Sequence, residues 1–141
     1  MKNNHGITLT TLVVYIVGLL IVIGIVATIT GFIRNNILIV EDSANSAAEF
    51  NKFNLAFIEE VKKSGNDIVD IQENYVLFDS GNKYLFQDGK IYKNKIEIVS
   101  NVKYCQFKLE QYEYKKIVIV YMELGRKNSF TETMNYVLAY D

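Results

Sequence analysis

Residues 7–33 carry no charged side chain, and no other feature restricts the fold of this chain so severely. An α-helix rises ~1.5 Å per residue, so the stretch reaches roughly 40 Å and exceeds the ~30 Å hydrocarbon core of a bilayer. A secretory signal peptide reads differently, with an apolar part of ~7–15 residues closed by a small-x-small cleavage site. Here the run is longer and GFIRNN follows it. Burying an all-apolar helix of this length in a water-soluble core would take a much larger protein than 141 residues. The expectation is a membrane helix over residues 7–33 behind a short polar leader, residues 1–6.

Charge does not orient that helix, because Lys2 stands on one side of it and Arg34 on the other. The hydroxyls of Thr8, Thr10, Thr11, Thr28 and Thr30 can return to helix carbonyls, which makes them cheap in lipid. Proline is absent from the chain, so bending is left to Gly18, Gly24 and Gly31. With one cysteine, Cys105, and one histidine, His5, an intramolecular disulfide, a zinc cluster and a His-centred catalytic triad are excluded. A net charge of −1 gives no global electrostatic case for nucleic acid or anionic lipid.

The order of parts carries a further reading. HGITLTTLVVYIVGLLIVIG resembles the class III leader of type IV pilins and pseudopilins: a short basic leader ending in glycine, then an apolar residue, a Thr-Leu pair and a hydrophobic helix. Gly6 matches the glycine before the cut, Ile7 the first mature residue, Thr8-Leu9 the pair, and Leu12 the next apolar position. The resemblance covers roughly the first quarter of the chain. It implies cleavage between Gly6 and Ile7 by a membrane prepilin peptidase, N-methylation of Ile7, a cytoplasmic leader and an extracytoplasmic C-terminal domain. It also implies assembly with other pilin-like subunits on an inner-membrane platform, in a competence-type or type II secretion-type machine. Thr11 stands where the family usually carries glutamate, and Thr28 where it carries a helix-breaking proline. That glutamate is thought to neutralise a neighbour's terminal amine within lipid, which threonine cannot do. The departure points to a minor subunit.

After Arg34 the helical pattern gains a polar face. Val40, Ala44, Ala47, Phe50, Phe53, Phe57 and Val61 follow the spacing of one helix face. Glu41, Asp42, Glu49, Lys52, Glu59, Glu60 and Lys62 fall on the others. Ser64-Gly65-Asn66 reads as the stop. The pattern predicts one helix over residues 9–63, with 34–64 as its amphipathic continuation. From Ile68 the period becomes two. NYVLF, KYLFQ, KIYKN, KIEIV, KYCQFKLEQY, KKIVIVYMEL and MNYVLAY read as strands, with turns at DSGN, at Asp88-Gly89 and at GRKN. Cys105, Phe107 and Leu109 share one face, and Val118, Val120 and Met122 are expected against the helix. The fold class is α+β, a long N-terminal helix packed on an antiparallel β-meander over residues 65–141.

Candidates for chemistry are few. Asp67, Asp70 and Glu73 form a loose acidic trio without the spacing of a calcium loop, and capping or solvation explains them more simply. Cys105 alternates inward beside Phe107 and reads as an inert thiol. Neither Ser80-Gly81 nor Asp88-Gly89 precedes a helix, so neither is a phosphate loop. No catalytic residue, metal or cofactor is expected, and an enzyme is the remotest reading. Between Lys83 and Lys116, eight lysines face four acids and interleave with Tyr84, Tyr92, Tyr104, Tyr112 and Tyr114. Lys90, Tyr92, Lys93 and Lys95 mark a possible ligand patch, with DNA as one partner to weigh. Exposed strands with lysine against edge pairing explain the same residues more simply. The competing reading of the whole chain is a single-pass anchored protein whose ectodomain binds or senses something at the cell surface.

Overall fold

The computed structural model describes residues 8–127 and 129–138. The chain divides into two compact units, Met1–Leu38 and Ile39–Asp141. One helix, α1 (Leu9–Val61), forms the described part of the first unit and opens the second. In the first unit every described side chain is exposed, and the helix is long and apolar enough to cross a membrane. Two threonines return their hydroxyls to it as expected: Thr28 Oγ1 donates to Gly24 O at 2.9 Å and Thr30 Oγ1 to Val26 O at 2.8 Å.

The second unit is built on the amphipathic part of α1. Phe50, Phe53, Phe57 and Val61 are buried at the three-and-four spacing that puts them on one stripe. Val40 and Ala44, expected on the same stripe, are exposed, and Ser46 is buried instead, donating to Asp42 O at 2.8 Å. The buried face begins only where the sheets cover the helix. The helix ends two residues before the expected limit, and Gly65 follows with φ 69°. That left-handed conformation costs glycine little.

Eight strands follow: β1 (Ile68–Gln72), β2 (Tyr75–Phe78), β3 (Lys83–Gln87), β4 (Lys90–Lys93), β5 (Ile96–Val99), β6 (Val102–Gln111), β7 (Lys116–Leu124) and β8 (Phe130–Val137). All pairings are antiparallel between sequence neighbours, but the single expected sheet is two, β1–β5 and β6–β8. The chain between β5 and β6 explains the split. Ser100 N donates to Glu49 Oε2 on the helix at 3.0 Å, and Asn101, at φ 57°, accepts Gly125 N and Arg126 Nε. The linking residues are held by the helix and by the loop after β7, so β5 and β6 do not close a hairpin. The sheets meet where Phe107 N donates to Glu73 O at 2.9 Å.

The change of period at Ile68 coincides with the start of β1, but none of the expected strands covers Ile68–Gln72: its exposed and half-buried residues do not alternate, and the pairing carries a register irregularity between Ile68 and Asp70. The turn between β4 and β5 is Asn94-Lys95, both at positive φ (50° and 74°), and it lacks the glycine that announces such turns. Asp88-Gly89, at 52° and 71°, closes β3 and β4 as the dipeptide predicts. In GRKN, Asn128 lies outside the described residues, as do the last residues of MNYVLAY.

The core lies between the helix and both sheets. Val76, Phe78, Tyr84, Ile91 and Val99 come from the first sheet and Phe107, Val118, Val120, Met122 and Leu124 from the second. Tyr84 donates its hydroxyl to Ala56 O at 2.9 Å, and Tyr136 donates to Asn54 Oδ1 at 2.8 Å. The carboxylate of Asp42 receives the backbone N–H groups of Arg126 and Lys127 at 3.2 and 3.0 Å. Each sheet is therefore fastened to the helix by polar contacts as well as by apolar packing.

Candidate functional site

Three regions carry the residues singled out by the sequence. At the start of α1, Gly6 and Ile7 lie outside the described residues. Thr8 is the N-cap: Leu12 N donates to its carbonyl at 3.1 Å, and Thr11 N reaches its Oγ1 at 3.4 Å. The hydroxyls of Thr8 and Thr11 are 2.7 Å apart and hydrogen-bonded to each other. Thr11 thus occupies the third helical position, where a glutamate would complete a capping box. Leu9 and Leu12 are exposed, Leu9 at 81%.

The second region is the end of the same helix, and its centre is a residue that periodicity assigned to a solvent face. Glu60 is 5% exposed. Its Oε1 accepts Asn66 Nδ2 at 2.9 Å and the Ser80 hydroxyl, while Oε2 accepts Asn82 Nδ2 at 2.7 Å and lies 3.4 Å from Lys93 Nζ. Asn66 also caps the helix by donating to Glu60 O at 2.9 Å and orients the next turn by accepting Ser80 N at 2.9 Å. Burial alone would raise the Glu60 carboxyl. The hydrogen bonds from Ser80 and Asn82 and the charge of Lys93 outweigh it and hold the group below its ordinary value. The cluster joins the helix end to the β2–β3 turn and to β4. Nothing in the sequence marks it, because Asn66, Ser80 and Asn82 each read locally as turn residues.

The third region is the lysine- and tyrosine-rich stretch, which the structure disperses. Lys93 and Tyr84 face the core side of the first sheet, where Lys93 Nζ lies 5.4 Å above the Tyr84 ring. This removes Lys93 from the expected surface patch. Lys90 and Tyr92 face the other side, and Lys90 pairs with Glu97 at 2.6 Å. Lys103 donates to Ser129 Oγ at 2.8 Å, Lys108 pairs with Glu110 at 3.0 Å and Lys116 with Asp67. Lys83 and Lys115 lie over the rings of Tyr75 and Tyr112 at 3.9 and 5.4 Å. Of the eight lysines, Lys95 alone has no partner among the described residues. Tyr92 and Lys95 line a groove of about 550 Å³ with Lys83, Leu85, Gln87 and Asn94, three of which sequence reasoning passed over.

The remaining candidates are structural. Asp67 accepts Ile68 N at 2.8 Å as well as Lys116, and Asp70 accepts the Tyr75 hydroxyl. Among the described residues no group of three or more His, Cys, Asp or Glu side chains is placed to hold a metal ion. Burial pushes the Cys105 thiol up to about 12, so it stays protonated at neutral pH and is a poor nucleophile. No family model matches this chain, and comparisons with curated proteins and with solved structures return no match.

Proposed function

We propose that this chain is a minor subunit of a type IV pilin-like filament serving DNA uptake or protein secretion, anchored in the membrane before assembly. In this reading the prepilin peptidase cuts after Gly6 and methylates Ile7. The apolar part of α1 holds the mature subunit in lipid, and the C-terminal domain is extracytoplasmic. The observation that carries it is the build of α1. One helix provides an exposed apolar stretch long enough to span a bilayer and, further on, the aromatic stripe that organises its own α+β domain. The leader pattern before it supports the same reading. The function is then assembly rather than catalysis, with the stripe of the apolar stretch buried against neighbouring subunits once extracted.

Co-expression with a prepilin peptidase tests this. The wild type is expected to shorten by the leader, with Ile7 as the new terminus by mass measurement, and a bulky residue at Gly6 is expected to block the cut. A chain that is never shortened returns the protein to the class of single-pass anchored proteins with a binding or sensing ectodomain.

A further inference from the structure

The second sheet ends on β8, and the phase of its hydrogen bonds shows which backbone groups of that strand are unused. Tyr112 N donates to Lys115 O at 2.8 Å and Leu138 N to Lys116 O at 3.0 Å. In an antiparallel ladder, directly opposite residues alternate between bonded and non-bonded pairs. Continuing both registers, Ile117, Ile119, Tyr121 and Glu123 of β7 bond to β6, while Val118, Val120, Met122 and Leu124 bond to β8. The N–H and C=O groups of Thr131, Thr133, Asn135 and Val137 therefore point away from β7. All four residues are exposed, and none carries a charge.

Sheet edges are ordinarily blunted by shortness, bulges, lysine or a cover. Among the described strands, the other three edges carry such devices. β1 and β5 have five and four residues, and each pairs with a register irregularity. β6 has Lys103 and Lys108, an irregularity between Val102 and Tyr104, and its Phe107 N taken by Glu73 O. β8 has eight residues, an unbroken register with β7, and neither lysine nor proline. Such an edge is a template for one more strand.

The strand that fits is β8 itself. Laid antiparallel to a second copy about a two-fold axis at Met134, Thr131 meets Val137 and Thr133 meets Asn135, each pair twice. All four outward residues are then used, in about eight backbone hydrogen bonds. Glu132 falls opposite Tyr136 of the second copy, which keeps the two Glu132 carboxylates about 13 Å apart along the strands. A register setting Glu132 against Glu132 would oppose like charges and carry Asn135 and Val137 past the end of the facing strand. The contact is isologous, so it closes at two copies.

We propose that β8 pairs with β8 of a second copy of this chain, joining two three-stranded sheets into one of six strands. The proposal goes beyond the filament reading and stands without it. Sedimentation velocity of the full chain, in detergent with micelles in excess, tests it. A reversible dimer in the micromolar range is expected, as suits a small contact. Thr133→Pro removes an N–H that points away from β7, and it is expected to weaken the dimer at least about tenfold while sparing the β7–β8 ladder. The double variant Thr133→Lys, Asn135→Lys sets lysines opposite one another and is expected to weaken it similarly. Mixing that variant with Thr133→Glu, Asn135→Glu is expected to restore a dimer, which a misfolded chain would not do. Ile96→Lys, on the β5 edge, is expected to leave the dimer unchanged. A wild type that stays monomeric to about 100 μM would leave the edge to a strand of another protein and overturn the proposal. A dimer that survives both edge changes, or a charge-swapped mixture that does not recover, would overturn it as well.

Discussion

The ring of Phe57 lies 4.7 Å from that of Tyr136, joining the helix to the last strand of the chain. Phe57 also meets Phe78 and Tyr84 of the first sheet at 5.6 and 5.0 Å and Phe107 of the second at 6.2 Å. One side chain on α1 therefore touches the aromatic residues of both sheets, at the place where neither sheet could bury its own face alone.

Phe57→Ala is expected to cost about 3–5 kcal/mol, because surrounding rings from four strands cannot all collapse into the space left. Leu55, on the same helix and 70% exposed, is the control, and Leu55→Ala is expected to stay within about 0.5 kcal/mol of wild type. Urea denaturation of a fragment beginning at Ile39 measures both. Equal losses would show that the packed stripe is not where the helix is held.

Acid stability is expected to follow the carboxylates at the helix. Glu60 is held below its ordinary 4.5, and Glu49 likewise, where the bonds from Lys52 and Ser100 outweigh burial. Asp67 is held below its ordinary 3.8, chiefly by Lys116. Each binds its proton more readily when unfolded, so their contribution is full above the ordinary carboxylate values and fades as pH falls through the folded ones. Glu60→Gln is expected to cost about 2 kcal/mol at neutral pH, since an amide nitrogen would then face the donors of the cluster. The variant should also show a shallower acid limb when denaturation midpoints are followed from pH 7 to pH 3. A wild-type midpoint that does not move over that range would contradict the linkage.

Lys95 holds φ 74° in a two-residue hairpin turn after Asn94. Glycine removes the clash between the β-carbon and the backbone there, so Lys95→Gly is expected to stabilise the fold by about 1 kcal/mol. Thermal denaturation of the same fragment decides the sign, and a lower midpoint would mean that the lysine side chain contributes more than its backbone costs.

Thr11 is already engaged with Thr8 and brings no charge to a neighbouring amine. In the filament reading, the protein is expected in few copies relative to the most abundant pilin, measured in sheared filaments. Thr11→Glu is expected to be tolerated in the helix, since it completes a capping box with Thr8, and to raise the share of the protein in the filament body. Near-equal amounts in wild type would remove the minor-subunit reading.

The sequence by itself determined the local elements whose signal is local. The uncharged run at 7–33, the aromatic stripe from Phe50 to Val61 and the alternation in β2, β3, β6 and β7 follow from helix and strand periods acting on apolar residues. Asp88-Gly89 announced its turn because glycine reaches positive φ at little cost. Tertiary structure decided what depends on distant partners. Glu60 reads as a surface residue until Asn66, Ser80, Asn82 and Lys93 converge on it from later parts of the chain, when hydrogen bonds make its burial affordable. The split into two sheets likewise rests on Glu49 and Asn101 holding the β5–β6 link, and the groove on the pairing that sets Leu85 against Tyr92. Periodicity tells which face a residue takes within its element. Which residues meet across elements is settled only when the chain closes on itself.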